Sequence, residues 1–207
     1  MTTALDIAQI GAGFEAPSFD SQRVFRTTLQ AMARPGTLHT IDASARWPRS
    51  LHPAAGAVLL ALLDQDTRVW LSRPGDSDAV EFLRFHTGCV MVDSPAQSDF
   101  ACVIEAAELP AWTSFACGTD EYPHRSTTVL IQLTSLQHGY QWTCSGPGID
   151  GTDTTRISLQ GMPRDFGDVW NAQRRMFPCG VDTYFVAGHQ LLALPRTTNL
   201  QLTGVRD

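Results

Sequence analysis

Asp120, Glu121, His124 and Arg125 crowd around Tyr122-Pro123 in the stretch GTDEYPHRSTT (118–128). An acid, an imidazole and a guanidinium in one turn could bind a phosphorylated ligand or transfer a proton. The plainer reading is a solvated loop in which proline and glycine shape the turn. GPGI (146–149) ends a strand-like run. The amides around Gly146 and Gly148 could form an anion-binding nest, or the segment could be a tight turn. Arg174 and Arg175 fall in the last turn of an expected helix, where the helix dipole favours positive charge. Their ordinary role is structural, and contact with a partner comes second. These eight residues are the candidate ligand or partner contacts; no catalytic residue is assigned.

Other chemistry is poorly supplied. GAGFEA (11–16) matches the GxGxxA form of a dinucleotide fingerprint, with Asp42 following as a ribose-binding acid would. That fingerprint needs a helix to start at its glycines. Here Pro17 intervenes and the expected helix starts at Asp20 or Ser21, so a flexible arm over residues 1–17 is the simpler expectation. The six histidines form no HxxxH or HExxH pair, and no metal site is expected. No GxSxG elbow is present. Cys179 in PCGVD could be a nucleophile, but a cysteine beside aromatics is more often a small core residue. All 15 basic residues are arginine. Without lysine there is neither a Walker-type phosphate loop nor a Schiff base.

The elements that must position these groups follow from periodicity. Helices are expected over 21–33, with Val24, Phe25, Leu29 and Met32 on one face, and over 54–63, 76–86 and 164–177. In the last, Phe166, Val169, Trp170 and Phe177 share a face. LHTI (38–41), TRVWLS (67–72) and CVMVDS (89–94) read as strands, the third as one buried on both faces of a sheet. DFACVIEA (99–106), TTVLIQLTSL (127–136), YQWTCSG (140–146) and TRISLQG (155–161) follow, with His138-Gly139 as a hairpin turn. VDTYFVAG (181–188) and LLALP (191–195) form a last hairpin. The sum is a single α/β domain over 18–207, a mixed sheet flanked by helices.

The chain has 207 residues, 43% hydrophobic and 17% charged, with a net charge of −6. That composition suits a folded globular protein and offers no attraction to nucleic acid or anionic lipid. Five scattered cysteines with no CxxC pair suggest a reducing compartment. The most apolar run, 54–63, is about half of what a bilayer span requires. A cytoplasmic protein is expected.

FRTTLQAMARPG (25–36), LLALLDQDTRVWL (59–71), GTDEYPHRSTTVLIQL (118–133), GPGI (146–149) and FPCGVDTYFV (177–186) with LLALPRTT (191–198) together resemble one family. It is the H-subunit family of the bacterial carbon–phosphorus lyase core complex, PhnH, and the likeness covers about residues 18–198. The resemblance implies a role in phosphonate catabolism, in a core of G, I and J subunits acting with an L subunit. That assembly displaces adenine from ATP with an alkylphosphonate, giving ribose 1-alkylphosphonate 5-triphosphate. It further implies a homodimer when isolated, and a fold similar to pyridoxal-phosphate-dependent transferases without the cofactor. The family supplies no established catalytic motif, so the site residues rest on their own chemistry. A stand-alone enzyme on a phosphorylated small molecule, and a dinucleotide-dependent oxidoreductase using GAGFEA, are the alternatives.

Overall fold

A computed structural model describes residues 10–150 and 155–206. Helix α1 spans Pro17–Ala33, α2 Pro53–Leu62, α3 Ser77–Thr87 and α4 Phe166–Ala172. Pro17 opens α1, where a missing N–H breaks no helical hydrogen bond. Asp20 stabilises that end by accepting from the Ala16 amide at 3.0 Å and pairing with Arg23 at 2.9 Å. The helix therefore begins several residues before the expected Asp20–Ser21 start. α3 is closed at both ends: Asp76 accepts from the Ala79 amide, and Gly88 adopts the left-handed φ of 73° that ends it.

The strands are β1 His39–Thr40, β2 Arg68–Leu71, β3 Val90–Met91, β4 Phe100–Val103, β5 Thr128–Gln132, β6 Ser135–Ser145, β7 Thr155–Gln160, β8 Asp182–Ala187, β9 Gln190–Leu194 and β10 Asn199–Arg206. Among the described residues they form a seven-stranded sheet, order β1-β9-β8-β5-β4-β2-β3, and a three-stranded sheet, order β10-β6-β7. In the larger sheet β3, β2, β4, β5 and β8 run parallel, β9 runs antiparallel to β8, and β1 pairs antiparallel with β9 and so returns to the common direction.

Strand periodicity divides the core in two. Cys102, Leu130, Tyr184 and Ala193 stand in register and face α1, α2 and α3. Their neighbours Val103, Ile131, Phe185 and Leu192 face the opposite layer, where Trp142, Phe166 and Trp170 close the second core. The layers are thus helices, the mixed sheet, and the small antiparallel sheet with α4. Gly167 belongs to this packing: a Cβ there would lie 2.7 Å from the Trp142 ring nitrogen.

The expected single α/β domain with a mixed sheet holds, but not every later strand joins that sheet. β6, β7 and β10 form their own, and β10 lay outside the sequence expectation. Asn171 of α4 docks β10, its amide accepting from Leu200 N at 2.9 Å and donating to Leu200 O at 2.7 Å. His138-Gly139 is no hairpin turn. Both residues lie inside β6 at a bulge between Ser135 and Tyr140, with Gly139 at φ 92°. CVMVDS contributes only the edge strand β3, with Val90 48% exposed. α1 buries Asp20, Val24, Thr28 and Ala31, which turns Phe25 and Leu29 outward at 45% and 53% exposure. Val169 and Phe177 are likewise exposed, while Phe166 and Trp170 are buried as expected. The last stretch is also shorter as an α-helix, passing into a tighter 3-10 turn over Gln173–Met176.

Candidate functional site

The 118–128 segment lies before β5, at the amino ends of β5 and β8. Gly118 makes its first bend with φ 75°, where a Cβ would meet the Pro123 carbonyl at 2.7 Å. Thr119 Oγ1 accepts from the Tyr122 amide at 3.0 Å, and Pro123–Arg125 form a short 3-10 turn. Asp120, Glu121, Tyr122, His124 and Arg125 are all exposed. The Arg125 guanidinium lies 4.4 Å from the Tyr122 ring centre, a cation–π contact, and the His124 ring stands edge-on to the same ring.

Arg196, in the turn after β9, fastens this loop to the segment following α4. Its guanidinium donates to both Asp182 carboxylate oxygens, to the Ser126 hydroxyl at 2.6 Å, and to the Pro123 and Pro178 carbonyls at 3.1 and 3.2 Å. Gly180 N also donates to Cys117 O at 2.9 Å. These bonds bring Asp120–Arg125 and the Arg174–Gly180 segment to one end of the molecule, around a depression of about 430 Å³ lined by His124, Asp182 and Arg196. Arg174 and Arg175 are exposed on the second segment. Buried Gln173 anchors that segment by accepting from the Val181 amide at 2.9 Å.

Cys179 is half-buried, not a core residue as expected. Its thiol donates to Asp120 Oδ1 at 3.7 Å. Burial and the adjacent Asp120 carboxylate both push the thiol up from the ordinary cysteine range. A negative neighbour disfavours thiolate, so this geometry does not activate Cys179 as a nucleophile.

Gly146 and Gly148 lie across the Arg196–Thr198 turn from this cluster. A Cβ on Gly146 would come within 3.0 Å of Thr197 O, and one on Gly148 within 2.6 Å of Ala33 O. Ile149 N donates to Gly146 O at 3.2 Å, so the segment is a turn packed against the end of α1. In GAGFEA, a Cβ on Gly11 would meet Arg46 O at 2.0 Å and one on Gly13 the His86 ring at 3.0 Å. His86 Nε2 also lies 2.9 Å from Gly11 O. These two glycines serve close packing on the α3 side of the molecule, with α1 starting beyond them at Pro17. Among the described residues no three His, Cys, Asp or Glu side chains converge as metal ligands. No helix among them is long and apolar enough to cross a membrane.

A second polar centre, absent from the sequence expectation, lies at the opposite, carboxyl end of the large sheet. Ser72 and Arg73 follow β2, and Ile104 and Glu105 follow β4. Ser72 Oγ donates to Glu108 Oε2 at 2.6 Å and accepts from Ile104 N at 2.9 Å. Arg73 pairs with Glu105 at 2.6 Å and with Glu108. Gln132, the last residue of β5, donates to Ser50 O at 2.7 Å and Ile104 O at 3.2 Å, and accepts from His52 N at 2.6 Å. Of these, Ser50, His52, Arg73, Ile104, Glu105 and Gln132 line a crevice of about 550 Å³, with Ser72 and Glu108 bonded behind it. The signal available in the sequence was positional: polar residues immediately after parallel strands, where open α/β sheets carry their sites.

The model of a family described as bacterial phosphonate metabolism protein (PhnH) matches residues 12–201. The chain is 40% identical over 196 residues to alpha-D-ribose 1-methylphosphonate 5-triphosphate synthase subunit PhnH of Rhizobium meliloti (strain 1021), covering 94% of this chain and 97% of that one. It is also 34% identical over 89 residues to the putative C-P lyase subunit protein HtxG of Stutzerimonas stutzeri, covering 42% of this chain and 44% of that one.

Proposed function

This chain belongs to the PhnH family of bacterial phosphonate metabolism, and from that premise we propose that it is a subunit of a carbon–phosphorus lyase core assembly. There it supports formation of ribose 1-alkylphosphonate 5-triphosphate from ATP and an alkylphosphonate. The observation carrying this reading is the near end-to-end match to a subunit of the synthase named for the methyl form of that product family. Its partners are the other core subunits, of the G, I and J types, and it works in the cytoplasm. Isolated, it pairs with a second copy of itself; the outward Phe25 and Leu29 of α1 support that pairing.

Within this reading the chain is one domain over 18–207 behind an arm over 1–17. Its fold is akin to the pyridoxal-phosphate-dependent transferases, yet the residues present do not fit that cofactor. The chain has no lysine to form the internal aldimine. The contact surface for a partner, or for a phosphorylated ligand held with it, comprises Asp120, Glu121, His124 and Arg125 with Arg174 and Arg175, and Gly146 and Gly148 across the turn. Supporting this is the exposure of those charged groups on a scaffold fastened by Arg196.

Co-expression of the tagged chain with G-, I- and J-type subunits, followed by assay with ATP and methylphosphonate, tests the reading. The chain should co-purify with them, and omitting it should remove most product formation. A fully active assembly lacking this chain would overturn the proposal. So would turnover of both substrates by the chain alone, which would favour the stand-alone enzyme.

A further inference from the structure

We propose that the crevice at the carboxyl ends of β2, β4 and β5 binds a small molecule bearing a phosphate-type oxyanion, with Arg49 as its charge partner. From β2 the chain leaves through α3 to the edge strand β3, then returns past β2 to β4 on the other side. The connections diverge between β2 and β4, and open α/β sheets bind ligands outside the strand ends at such a switch point. The crevice there measures about 550 Å³, within the range of small-molecule sites.

Its walls are held before any ligand arrives. Gln132 uses its whole amide to tie the Ser50–His52 segment to β4 and β5. His52 Nδ1 accepts from Gly188 N at 3.2 Å, fixing the ring at the wall. The Arg73 charge is matched by Glu105 and Glu108. Arg49 differs: it is exposed, lines the crevice, and has no hydrogen-bond or ion-pair partner among the described residues. Beside it, Ser50 Oγ is buried with no hydrogen-bond partner among the described residues, a condition that is costly when left unmet. A chain of net charge −6 thus presents an unmatched guanidinium at a pocket whose wall also holds a buried, unpartnered hydroxyl. A planar guanidinium donates paired hydrogen bonds to tetrahedral oxyanions, which sets the ligand's chemistry.

Binding here needs no other subunit, so its test is separate from assembly. The purified chain is titrated with inorganic phosphate, methylphosphonate and ATP in parallel while the His52 ring resonances are followed by NMR. At least one titration should saturate and shift His52. Saturation by inorganic phosphate as tightly as by the other two means that the oxyanion head suffices; tighter methylphosphonate or ATP means that the organic part is held as well. Arg49→Ala should weaken binding at least tenfold with melting unchanged, Arg49→Lys less, and Glu105→Gln should tighten it by removing a negative wall group. Three unsaturable titrations would overturn the proposal. So would affinity indifferent to Arg49→Ala and Glu105→Gln, or shifts at His124 with none at His52.

Discussion

The Arg196 guanidinium grips both carboxylate oxygens of Asp182, Nε to Oδ1 at 3.1 Å and Nη2 to Oδ2 at 2.6 Å. Asp182 begins β8 and Arg196 follows β9, so the fork closes the hairpin from outside. The Arg196 backbone amide adds a third bond to Oδ1 at 2.7 Å. The same guanidinium carries the 123 and 178 carbonyls, which makes this ion pair the fastener of the candidate partner surface.

Arg196→Ala should destabilise the chain by about 1–3 kcal/mol, because it leaves the half-buried Asp182 carboxylate with only the backbone amide and frees two carbonyls. Arg196→Lys should recover less than half, since an ammonium cannot reproduce the fork. Urea unfolding checks both values, and equal stability of the alanine variant and wild type would refute the fastener role.

Arg125→Ala and Arg174→Ala should each change stability by less than about 0.5 kcal/mol, because both residues are exposed. The same variants should weaken co-purification with partner subunits and growth on a phosphonate as sole phosphorus source. Normal assembly and growth in both would remove these residues from the contact surface.

Phe25→Glu and Leu29→Glu should leave folding intact while shifting the isolated chain toward monomer. The two residues sit one helical turn apart on the outer side of α1, and a charge in a shared apolar contact opposes association. Sedimentation velocity at micromolar concentration measures the shift. A wild-type monomer, or variants that dimerise as well as wild type, would contradict it.

Stability should fall as pH drops from about 7 to 5. Burial holds the His52 imidazole below the ordinary histidine range, opposed in part by the Val186 carbonyl. The folded chain therefore favours neutral His52, and the unfolded chain takes up its proton near the reference value of ~6.5. The stability this residue contributes is complete above that pH and is lost as pH falls toward the lower folded value. His39, shifted the same way by burial and Arg34, adds to the slope. His52→Asn, which keeps an acceptor for Gly188, should flatten but not abolish the decline; identical slopes in urea midpoints would exclude His52 as a source.

Much of the chain was legible before folding. Helix ends are set by local chemistry, and the expected helices 54–63 and 76–86 fall within one residue of α2 and α3 at each end. Lack of lysine excluded an aldimine at any geometry. The 118–128 loop announced itself because four polar groups and a proline cannot all be buried there. Family membership was carried by long stretches of residues rather than by any site.

Tertiary structure decided the rest. Phe25 and Leu29 share apolar character with Val24, and only the docking of α1 on α2 and β9 selects which side faces inward. His138-Gly139 has turn chemistry, yet pairing with β7 and β10 draws it into a bulged strand. Whether strands join one sheet or two depends on pairings between residues far apart in sequence, which local periodicity does not encode. The same limit hid the Arg196 fastener and the crevice at the carboxyl end of the sheet. Arg196 reaches Pro123 across 73 positions, and Gln132 reaches Ser50 across 82. Hydrogen bonds of that range exist only after the sheet has brought its strand ends together.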